Sequence, residues 1–341
     1  MDSSAVITDA AAAFGDKGGT IYDPQGNPLS LQPGDMIARG GEGMIYKLEI
    51  NPHYLVKICK ADTMNNSRKQ AAFCERLNAM MALEDFRKAD FLAWPQMPVF
   101  DAGKKVIGFV MSRAEGRTLR ALYAPCQIRR FFPGWDRLQV TKAALNLVKA
   151  VQQLARYRVL VNDFNPGNFL VDKQGKVTLI DCDSFQIPGQ GNLPFITRVF
   201  SPEYAAPELL FKPELLKSVR TPEQVRFSLA VVVYMILMSG LHPYARRGGC
   251  DPVENLKSGK CPLDKTQRVR LPVGWNKSIS WLPETLKEYF IKMFVEGFRD
   301  PSQRPLIGDL KFELENFIEV MCKSHNKNQR AICPENARRK K

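Results

Sequence analysis

Alternating apolar and polar positions predict a run of short strands in the first third of the chain. Residues 20–31 carry two such runs on either side of a Pro-Gln-Gly-Asn-Pro turn, which is typical of a short hairpin. Residues 36–60 alternate on both sides of a glycine cluster, and residues 106–111 form one further apolar run. These patterns predict a hairpin, a pair of strands joined by a glycine-rich turn, and an additional strand.

Apolar positions at helical spacing predict three longer helices. Residues 66–87 place Phe73, Leu77 and Met80 at approximately this spacing, and residues 138–157 have one continuous apolar face. Residues 227–245 contain an uncharged apolar stretch that resembles a membrane span. Its strongly apolar part is about fifteen residues long, whereas a bilayer needs roughly twenty. We therefore predict a buried central helix there, and no membrane span.

A third hairpin, over residues 169–180, lies between polar side chains. Its fold brings Asp181 back beside Asn168, so that a carboxylate and an amide oxygen converge. Oxygen ligands of this kind suit Mg²⁺, which shares them with substrate phosphates. Asp163 is then left to orient a nucleophile. The same pattern also fits a simple hairpin with turn residues and solvated acids.

The glycine cluster at 40–43 and a lysine in the next strand suggest a phosphate site. Glycines let backbone N–H groups approach phosphates without obstruction from a Cβ atom. Lys57 lies within an apolar strand, where it either extends to solvent or binds an anion. Glu75, one turn into the helix at 66–87, could reach Lys57, with Glu84 as a competing partner. The alternatives are an ordinary glycine-rich hairpin, an outward-facing lysine and a solvated acid.

Composition limits the possible classes. The chain has 341 residues, of which 45% are hydrophobic, enough for one large domain or two closely coupled lobes. Its net charge of +14 favours an anionic partner, but the excess is diffuse and is densest in the tail, at 337–341. Because no motif interleaves aromatic and basic residues, we do not expect nucleic-acid binding.

Cysteine and histidine usage argues against metal-centred and secreted classes. The eight cysteines include no Cys-x-x-Cys pair, and there are only three histidines. This pattern indicates neither a zinc site nor a disulfide framework. The N-terminus also lacks a basic segment followed by an apolar core, as a signal peptide would have. We expect a cytoplasmic protein with reduced thiols.

Six segments, in order along the chain, resemble the motifs of a eukaryotic-type protein kinase domain. They are Gly-Gly-Glu-Gly at 40–43, Val-Lys-Ile at 56–58, Asp-Phe-Asn-Pro-Gly-Asn at 163–168, Asp-Cys-Asp at 181–183, Ala-Pro-Glu at 206–208 and Asp-Pro-Ser-Gln-Arg-Pro at 300–305. The resemblance covers about residues 35–318. It implies an α+β, bilobal fold with a small, mainly antiparallel β N-lobe and a larger, mainly helical C-lobe.

The resemblance also implies a division of the chain. Residues 1–34 would be an N-terminal extension with a short hairpin, 35–114 the N-lobe, 115–320 the C-lobe and 321–341 a basic tail. The variant motifs are most similar to a divergent bacterial branch of the family. Its kinases are encoded beside a phosphatase and a von Willebrand-type domain protein in stress or tellurite-resistance gene clusters. A protein substrate and these two partners are therefore expected.

The resemblance assigns roles position by position for an enzyme that uses ATP and Mg²⁺. Asp163 would accept or orient the proton of the substrate hydroxyl, Lys57 would bind the α- and β-phosphates and pair with Glu75, and Asn168 and Asp181 would hold Mg²⁺. Nine further positions would contact the nucleotide: Gly40, Gly41 and Gly43 at the phosphates, Ile45, Leu55 and Leu170 above and below adenine, and Met111, Ser112 and Ala114 at its edge. The implied reaction transfers the γ-phosphate to a protein hydroxyl, most simply of serine or threonine, including the enzyme's own.

Four departures from the family pattern leave other functions open. Val161 and Asn162 replace the histidine and arginine of the catalytic loop, Asn165 replaces a lysine that neutralises the γ-phosphate, and Val225 replaces an aspartate that holds the loop backbone. Without the arginine, we expect activity to depend little on phosphorylation between residues 184 and 203. Without the lysine, a slow enzyme or a shifted preference for the acceptor hydroxyl is expected. A pseudokinase that binds nucleotide and scaffolds a partner is the alternative, and a small-molecule phosphotransferase is a third.

Overall fold

The computed structural model describes residues 18–189, 193–249 and 251–323. The chain divides between Ala114 and Glu115 into two compact units. Among the described residues, no helix is both long and apolar enough to cross a membrane, and no disulfide joins the cysteines. Most of the predicted basic tail lies outside the described residues.

The first unit is built on one antiparallel sheet of seven strands. The strands are β1 (Gly19–Tyr22), β2 (Pro28–Leu31), β3 (Met36–Arg39), β4 (Gly43–Lys47), β5 (Tyr54–Cys59), β6 (Pro95–Phe100) and β7 (Val106–Ser112), in the order β2-β1-β6-β7-β5-β4-β3. In the β1–β2 turn, the Asp23 carboxylate accepts hydrogen bonds from the backbone N–H groups of Gln25 and Asn27, and Gly26 has a φ of 88°. The predicted hairpin and glycine-joined strands are confirmed.

In the described part of this unit, the sheet is accompanied by three α-helices, α1 (Ala61–Met64), α2 (Ser67–Met81) and α3 (Glu84–Arg87), and by a 3₁₀ turn at Pro33–Asp35. The helix predicted at 66–87 is therefore wrong as one continuous element, because it is interrupted at residues 82 and 83, whereas Asn66 caps its start by accepting a hydrogen bond from Lys69 N. The break follows from Met80, whose carbonyl accepts bonds from Leu83 N and from the indole of Trp94. A buried tertiary contact at Met80 thus lies where α2 ends, six residues before the predicted end of the helix.

The second unit is mainly helical. Its helices are α4 (Pro125–Phe131), α5 (Arg137–Arg156), α6 (Pro207–Phe211), α7 (Pro222–Leu237), α8 (Pro252–Lys257), α9 (Trp275–Ile279), α10 (Glu284–Ile291), α11 (Gly297–Arg299) and α12 (Ile307–Lys323), with a π-helical turn at Lys292–Glu296. The helix predicted at 138–157 is confirmed as α5, whose start is fixed by a capping box between Asp136 and Gln139.

The central helix α7 is buried along most of its length, as predicted, but its bounds differ from the apolar run. It begins at Pro222, because Thr221 and Gln224 form a capping box there. It ends at Leu237, because Ser239 and Gly240 adopt left-handed backbone, with φ of 55° and 84°. Side-chain capping and backbone conformation, which apolarity does not report, set both ends.

A small sheet of β8 (Arg117–Thr118), β9 (Phe169–Val171) and β10 (Val177–Leu179) carries the predicted third hairpin. β9 and β10 pair with Val177 opposite Val171 and Leu179 opposite Phe169. Gly175 closes the turn with a φ of 85°. This pairing brings the two chain segments that flank the hairpin side by side.

Candidate active site

The glycine cluster of the first unit forms the turn between β3 and β4. Gly40 N donates to the Gly43 carbonyl over 2.9 Å, which closes the turn. A Cβ atom on Gly43 would lie 2.2 Å from the Ile58 carbonyl oxygen, so the strand pairing at this position requires glycine. Gly40 and Gly41 are exposed, and a Cβ atom on either would meet nothing within 4 Å. The turn therefore presents bare backbone.

Lys57 occupies the middle of β5, opposite Ile45 of β4. Only about 6% of its side chain is exposed, and its ammonium forms an ion pair with the Glu42 carboxylate, Nζ to Oε2, at 3.4 Å. Glu75 lies on α2 and is exposed. The Glu42 carboxylate of the glycine-rich turn is thus an ion-pair partner of Lys57, beside the partner Glu75 that the sequence suggested. Sequence reasoning missed Glu42, although its place between the glycines was a signal.

The remaining candidates of the first unit are apolar positions on neighbouring strands. Leu55 of β5 lies opposite Met111 of β7, and both are buried. Ile45 is half-buried, Ser112 is the last residue of β7, and Ala114 ends the unit. They lie near one another because the sheet places β5 between β4 and β7.

In the second unit, the loop before β9 brings Asp163 and Asn168 together. The Asn168 amide Nδ2 donates to Asp163 Oδ2 over 3.1 Å, and Asp163 Oδ1 accepts from Asn165 N over 3.2 Å. Asp163 is only 9% exposed. With its Nδ2 committed to Asp163, Asn168 has its amide oxygen as the remaining acceptor. The carboxylate is thereby fixed in orientation, as a group that orients a hydroxyl must be.

The β9–β10 hairpin carries Asp181 back to this loop. Ile180 N donates to the Asn168 carbonyl over 2.9 Å, which joins the residue before Asp181 to Asn168 itself. Asp181 adopts left-handed backbone, with a φ of 57°, and its carbonyl accepts from Ser184 N over 3.0 Å. Such strain is kept where the surrounding structure imposes it and is common at functional sites. An amide oxygen and a carboxylate are hard donors, so their chemistry fits Mg²⁺.

Leu170, two residues after Asn168, lies in β9 and is half-buried.

A cation that sequence reasoning missed is bound to the same loop. Asn165 Oδ1 accepts hydrogen bonds from Gly167 N and from Arg120 Nη2, both at 2.9 Å. Arg120 lies in a short 3₁₀ turn, Leu119–Leu122, directly after β8. The residues from Asp163 to Asn168 include no lysine or arginine, and this absence was the only sequence signal for a cation from elsewhere.

A hydroxyl links the loop to the segment that follows Asp181. Asn162 Nδ2 donates to Thr197 Oγ1 over 2.6 Å, and Thr197 Oγ1 donates to the Ser184 carbonyl over 2.6 Å. Thr197 therefore connects two parts of the site without a phosphate. Nearby, burial raises the pKa of Tyr204, with the Glu203 carboxylate adding to the effect, so this phenol stays neutral.

Comparisons with known proteins agree with this arrangement. The model of the protein kinase domain family matches residues 35–335. Protein kinase YegI of Escherichia coli O157:H7 is 30% identical over 230 residues, covering 66% of this chain and 34% of that protein. YegI of E. coli K12 is 31% identical over 216 residues, covering 62% and 32% respectively. The chain thus spans about a third of the length of these curated relatives.

A solved structure shows the same fold. The kinase domain of ROP18, in complex with AMP-PNP and sucrose, superposes with a TM-score of 0.58 at 16% identity, over 91% of this chain and 88% of that one. The predicted α+β protein-kinase fold, with its antiparallel β unit and its helical unit, is confirmed. The match to the family model covers most of the chain, and two of the motifs in the second unit, at 163–168 and 181–183, are joined through the bond from Ile180 N to the Asn168 carbonyl. The chain belongs to the protein kinase domain family.

Proposed function

We propose that this domain is an ATP- and Mg²⁺-dependent protein kinase that transfers the γ-phosphate to a protein hydroxyl, of serine or threonine. The observation that carries the proposal is the Asp163–Asn168 hydrogen bond of 3.1 Å, with Asp181 tied to the same asparagine through Ile180 N. Phosphoryl transfer asks mainly for positioning and for neutralisation of charge, and this loop provides a fixed carboxylate beside two oxygen donors.

Each candidate residue of the site has a role in this proposal. Asp163 orients the acceptor hydroxyl and takes its proton, and Asn168 and Asp181 hold Mg²⁺, which neutralises phosphate charge when bound. Lys57 binds the α- and β-phosphates. Its buried ammonium already has an anion in Glu42, and a nucleotide phosphate or Glu75 replaces or joins that carboxylate in the active state. The nucleotide-contacting set is Gly40, Gly41, Gly43, Ile45, Leu55, Met111, Ser112, Ala114 and Leu170.

Arg120 supplies the positive charge that the catalytic loop lacks. Negative charge at the transferring phosphoryl group is stabilised by arginine or lysine side chains. Within the described residues, the guanidinium held by Asn165 is the cation hydrogen-bonded to this loop, and Asn165 is two residues from Asp163. A guanidinium has five donors, so one bond to Asn165 leaves others available for phosphate oxygens. We therefore assign Arg120 to the γ-phosphate side of the reaction.

The proposed substrate and partners are those expected for the protein kinase family and for the divergent bacterial branch that the motifs resemble. The acceptor is a protein, and the domain itself is one acceptor to test, by autophosphorylation. A cognate phosphatase and a von Willebrand-type domain protein are the proposed partners, and the cytoplasm the proposed location. Because the chain spans about a third of the YegI proteins, these proposals concern the domain and not a longer protein.

A pseudokinase is the second candidate, and one contact favours it. Lys57 forms an ion pair with Glu42 of the glycine-rich turn, a partner that the kinase pattern, which pairs this lysine with a helix glutamate, does not include. Val161, Asn162 and Val225 also depart from the family pattern. Such a domain would bind nucleotide, or only a partner protein, without transferring phosphate.

One experiment separates the two candidates. Transfer from labelled ATP, with and without Mg²⁺, is measured for the wild type, for Asp181→Asn, and for Asp172→Asn, an acid in the turn of the same hairpin whose carboxylate bonds only local backbone. We expect Mg²⁺-dependent transfer by the wild type and by Asp172→Asn, and none by Asp181→Asn. If no protein transfers phosphate while ATP raises the melting temperature, the pseudokinase assignment replaces the proposal. If ATP does neither, the nucleotide site itself is wrong.

A further inference from the structure

A small cavity lies beside the catalytic loop, wholly within the second unit. Its volume is about 10 Å³, and its walls include Val161 and Asn162 of the loop, Ser201, and Arg220 and Val225 around the start of α7. A cavity of roughly 10–15 Å³ is the smallest that holds a water molecule. A water occupies such a space only where polar groups receive it, so the polar atoms of the walls decide its content.

Arg220 places a charged side chain against this cavity. The residue is only 3% exposed, and its backbone is fixed by the Gln186 side chain, which accepts from Arg220 N over 2.8 Å and donates to Arg220 O over 3.1 Å. Its Nη1 donates to the Leu215 carbonyl over 3.1 Å. Its Nε and Nη2 are buried and have no hydrogen-bond partner among the residues that the structure describes. No carboxylate of the described part of the chain pairs with this guanidinium, and desolvation lowers its pKa.

Asn162 offers the complementary group. Its Nδ2 is used on Thr197, whereas its buried Oδ1 has no hydrogen-bond partner among the described residues. Both residues line the cavity, and together they carry two unsatisfied donors, on Arg220, and one unsatisfied acceptor, on Asn162. An unmade hydrogen bond of a buried group is costly, so three of them on two residues that line one cavity call for an occupant there. A water accepts from the two N–H groups and donates to Oδ1, whereas a chloride could accept from the N–H groups but has no proton to give Oδ1.

We propose that this cavity holds one structural water that joins Arg220 to Asn162, and that Arg220 is a positioning residue for the catalytic loop. The bridge continues through Asn162 to Thr197 and the Ser184 carbonyl, and Asp163 is the next residue after Asn162. From a position just before α7, Arg220 thus holds Asn162 in place through the water, and Asn162 directly precedes the carboxylate of Asp163. The effect on catalysis rests on the proposed kinase activity, whereas the water and its electrostatics do not.

The first test is structural and needs no activity. A crystal structure at high resolution is expected to show one water within hydrogen-bond distance of Arg220 Nε or Nη2 and of Asn162 Oδ1. An empty cavity overturns the proposal. So does a halide there, which crystals grown with bromide would reveal by anomalous scattering.

The second test asks whether the cavity accepts a negative charge. Val225→Asp places a carboxylate in the cavity beside Arg220, whereas Val231→Asp buries one on the same helix at a fully buried position that does not line the cavity. We expect Val225→Asp to lower Tm by less than about 4 °C, and Val231→Asp by more than about 10 °C. In an Arg220→Met background, Val225→Asp should become as damaging as Val231→Asp. Equal damage from both aspartates in the presence of Arg220 overturns the proposal.

The third test addresses positioning. Arg220→Met fills the space but removes the donors, whereas Arg220→Lys keeps charge and N–H groups. Because misplacement of a catalytic group costs rate without changing nucleotide contacts, we expect kcat to fall about 10-fold or more in Arg220→Met and to be largely restored in Arg220→Lys, with KM for ATP within about twofold. An unchanged kcat in Arg220→Met, or equal loss in both variants, overturns the positioning role. If the wild type has no kinase activity, the proposed function is wrong, and the first two tests, which need no activity, still decide whether the water is present.

Discussion

At the residue scale, the site depends on which partner each polar side chain has found. Asp163 is oriented by Asn168 and by the backbone of Asn165, and Asn165 in turn holds Arg120. Asn165 stands where the family resemblance places a lysine, and its side chain instead binds an arginine, Arg120. The net charge at the loop depends on a contact across 45 positions of sequence, and not on the loop's own composition.

Arg120 gives the sharpest residue-scale prediction. Arg120→Met removes the cation that we assign to the γ-phosphate, and we expect kcat to fall about 100-fold, a typical cost of losing one stabilising group in the transition state. Adding Asn165→Lys to Arg120→Met puts a cation back on the loop and should recover at least about 10-fold of the loss. Arg129→Met, on α4, removes an exposed arginine and serves as the control. Phosphate transfer from ATP at saturating Mg²⁺ is the measurement. Full activity in Arg120→Met would contradict the assignment.

Thr197 tests the expectation that the segment between residues 184 and 203 works without phosphorylation. Its hydroxyl already bonds Asn162 and the Ser184 carbonyl, so Thr197→Val should destabilise the domain by about 1–2 kcal/mol through two unmade bonds. Thr197→Ser should be near wild type. Unfolding in urea gives the stability.

Phosphate is then examined separately, by mass spectrometry and by treating the active enzyme with a phosphatase. Activity should survive that treatment, and the half-buried Ser201 should tolerate substitution by alanine. A large loss of activity on dephosphorylation, or in Ser201→Ala, would show that phosphorylation is needed after all.

At the element scale, hairpins and caps place the site, and long-range ion pairs hold the helices around it. The β9–β10 hairpin returns the chain to Asn168, and the capping box at Thr221 starts α7 beside the cavity. One buried ion pair joins α6 to the segment before α12. Arg304 donates from Nη1 and Nη2 to the two carboxylate oxygens of Glu208 at 2.8 and 2.7 Å, and its side chain is fully buried.

Removing one partner of this pair should be costly. Glu208→Gln leaves the Arg304 guanidinium buried without its counter-charge, and we expect a loss of about 3 kcal/mol in the free energy of unfolding. Glu214→Gln, at an exposed acid in the next turn, should change it by less than about 0.5 kcal/mol. Urea unfolding measures both. In the double variant Glu208→Gln with Arg304→Met, part of the loss should return, because no unpaired charge remains.

At the scale of the whole molecule, stability should depend on pH through a buried imidazole. His242 is buried, its Nδ1 accepts from Tyr244 N over 3.3 Å, and its Nε2–H therefore donates to the Glu203 carbonyl over 2.8 Å. Burial lowers its pKa to about 4, partly opposed by the bond to Glu203. In the unfolded chain this imidazole takes up a proton near pH 6.5, whereas in the folded protein it stays neutral down to about pH 4. The contribution is complete above about pH 6.5 and is lost as the pH falls towards about 4.

The size of this effect is about 3 kcal/mol at most, since each unit of pKa difference is worth about 1.4 kcal/mol. Unfolding by urea between pH 7 and pH 4.5 should show the loss for the wild type. His242→Gln, which offers an amide donor and acceptor that do not titrate, should be less stable at pH 7 but flatter with pH. An equal slope in both proteins would mean that other groups set the pH dependence.

The order of motifs, the hairpins and the amphipathic helices followed from the sequence, because they depend on periodicity and turn chemistry between near neighbours. Asp163 and Asn168 lie five residues apart, and a single hairpin brings Asp181 back to them, so this part of the site was predictable. The early end of α2 was not, because it depends on a bond between Trp94 and Met80.

Only the tertiary structure decided which partners the charged groups have. Two of these contacts, Arg120 with Asn165 and Glu42 with Lys57, join residues that are 45 and 15 positions apart. The third pair, Arg220 and Asn162, is 58 positions apart and lines a cavity that no local sequence pattern indicates. Local periodicity fixes which elements form, because near neighbours interact in every conformation of the chain. The fold alone sets the distance between remote side chains, and electrostatics at this site depends on those distances.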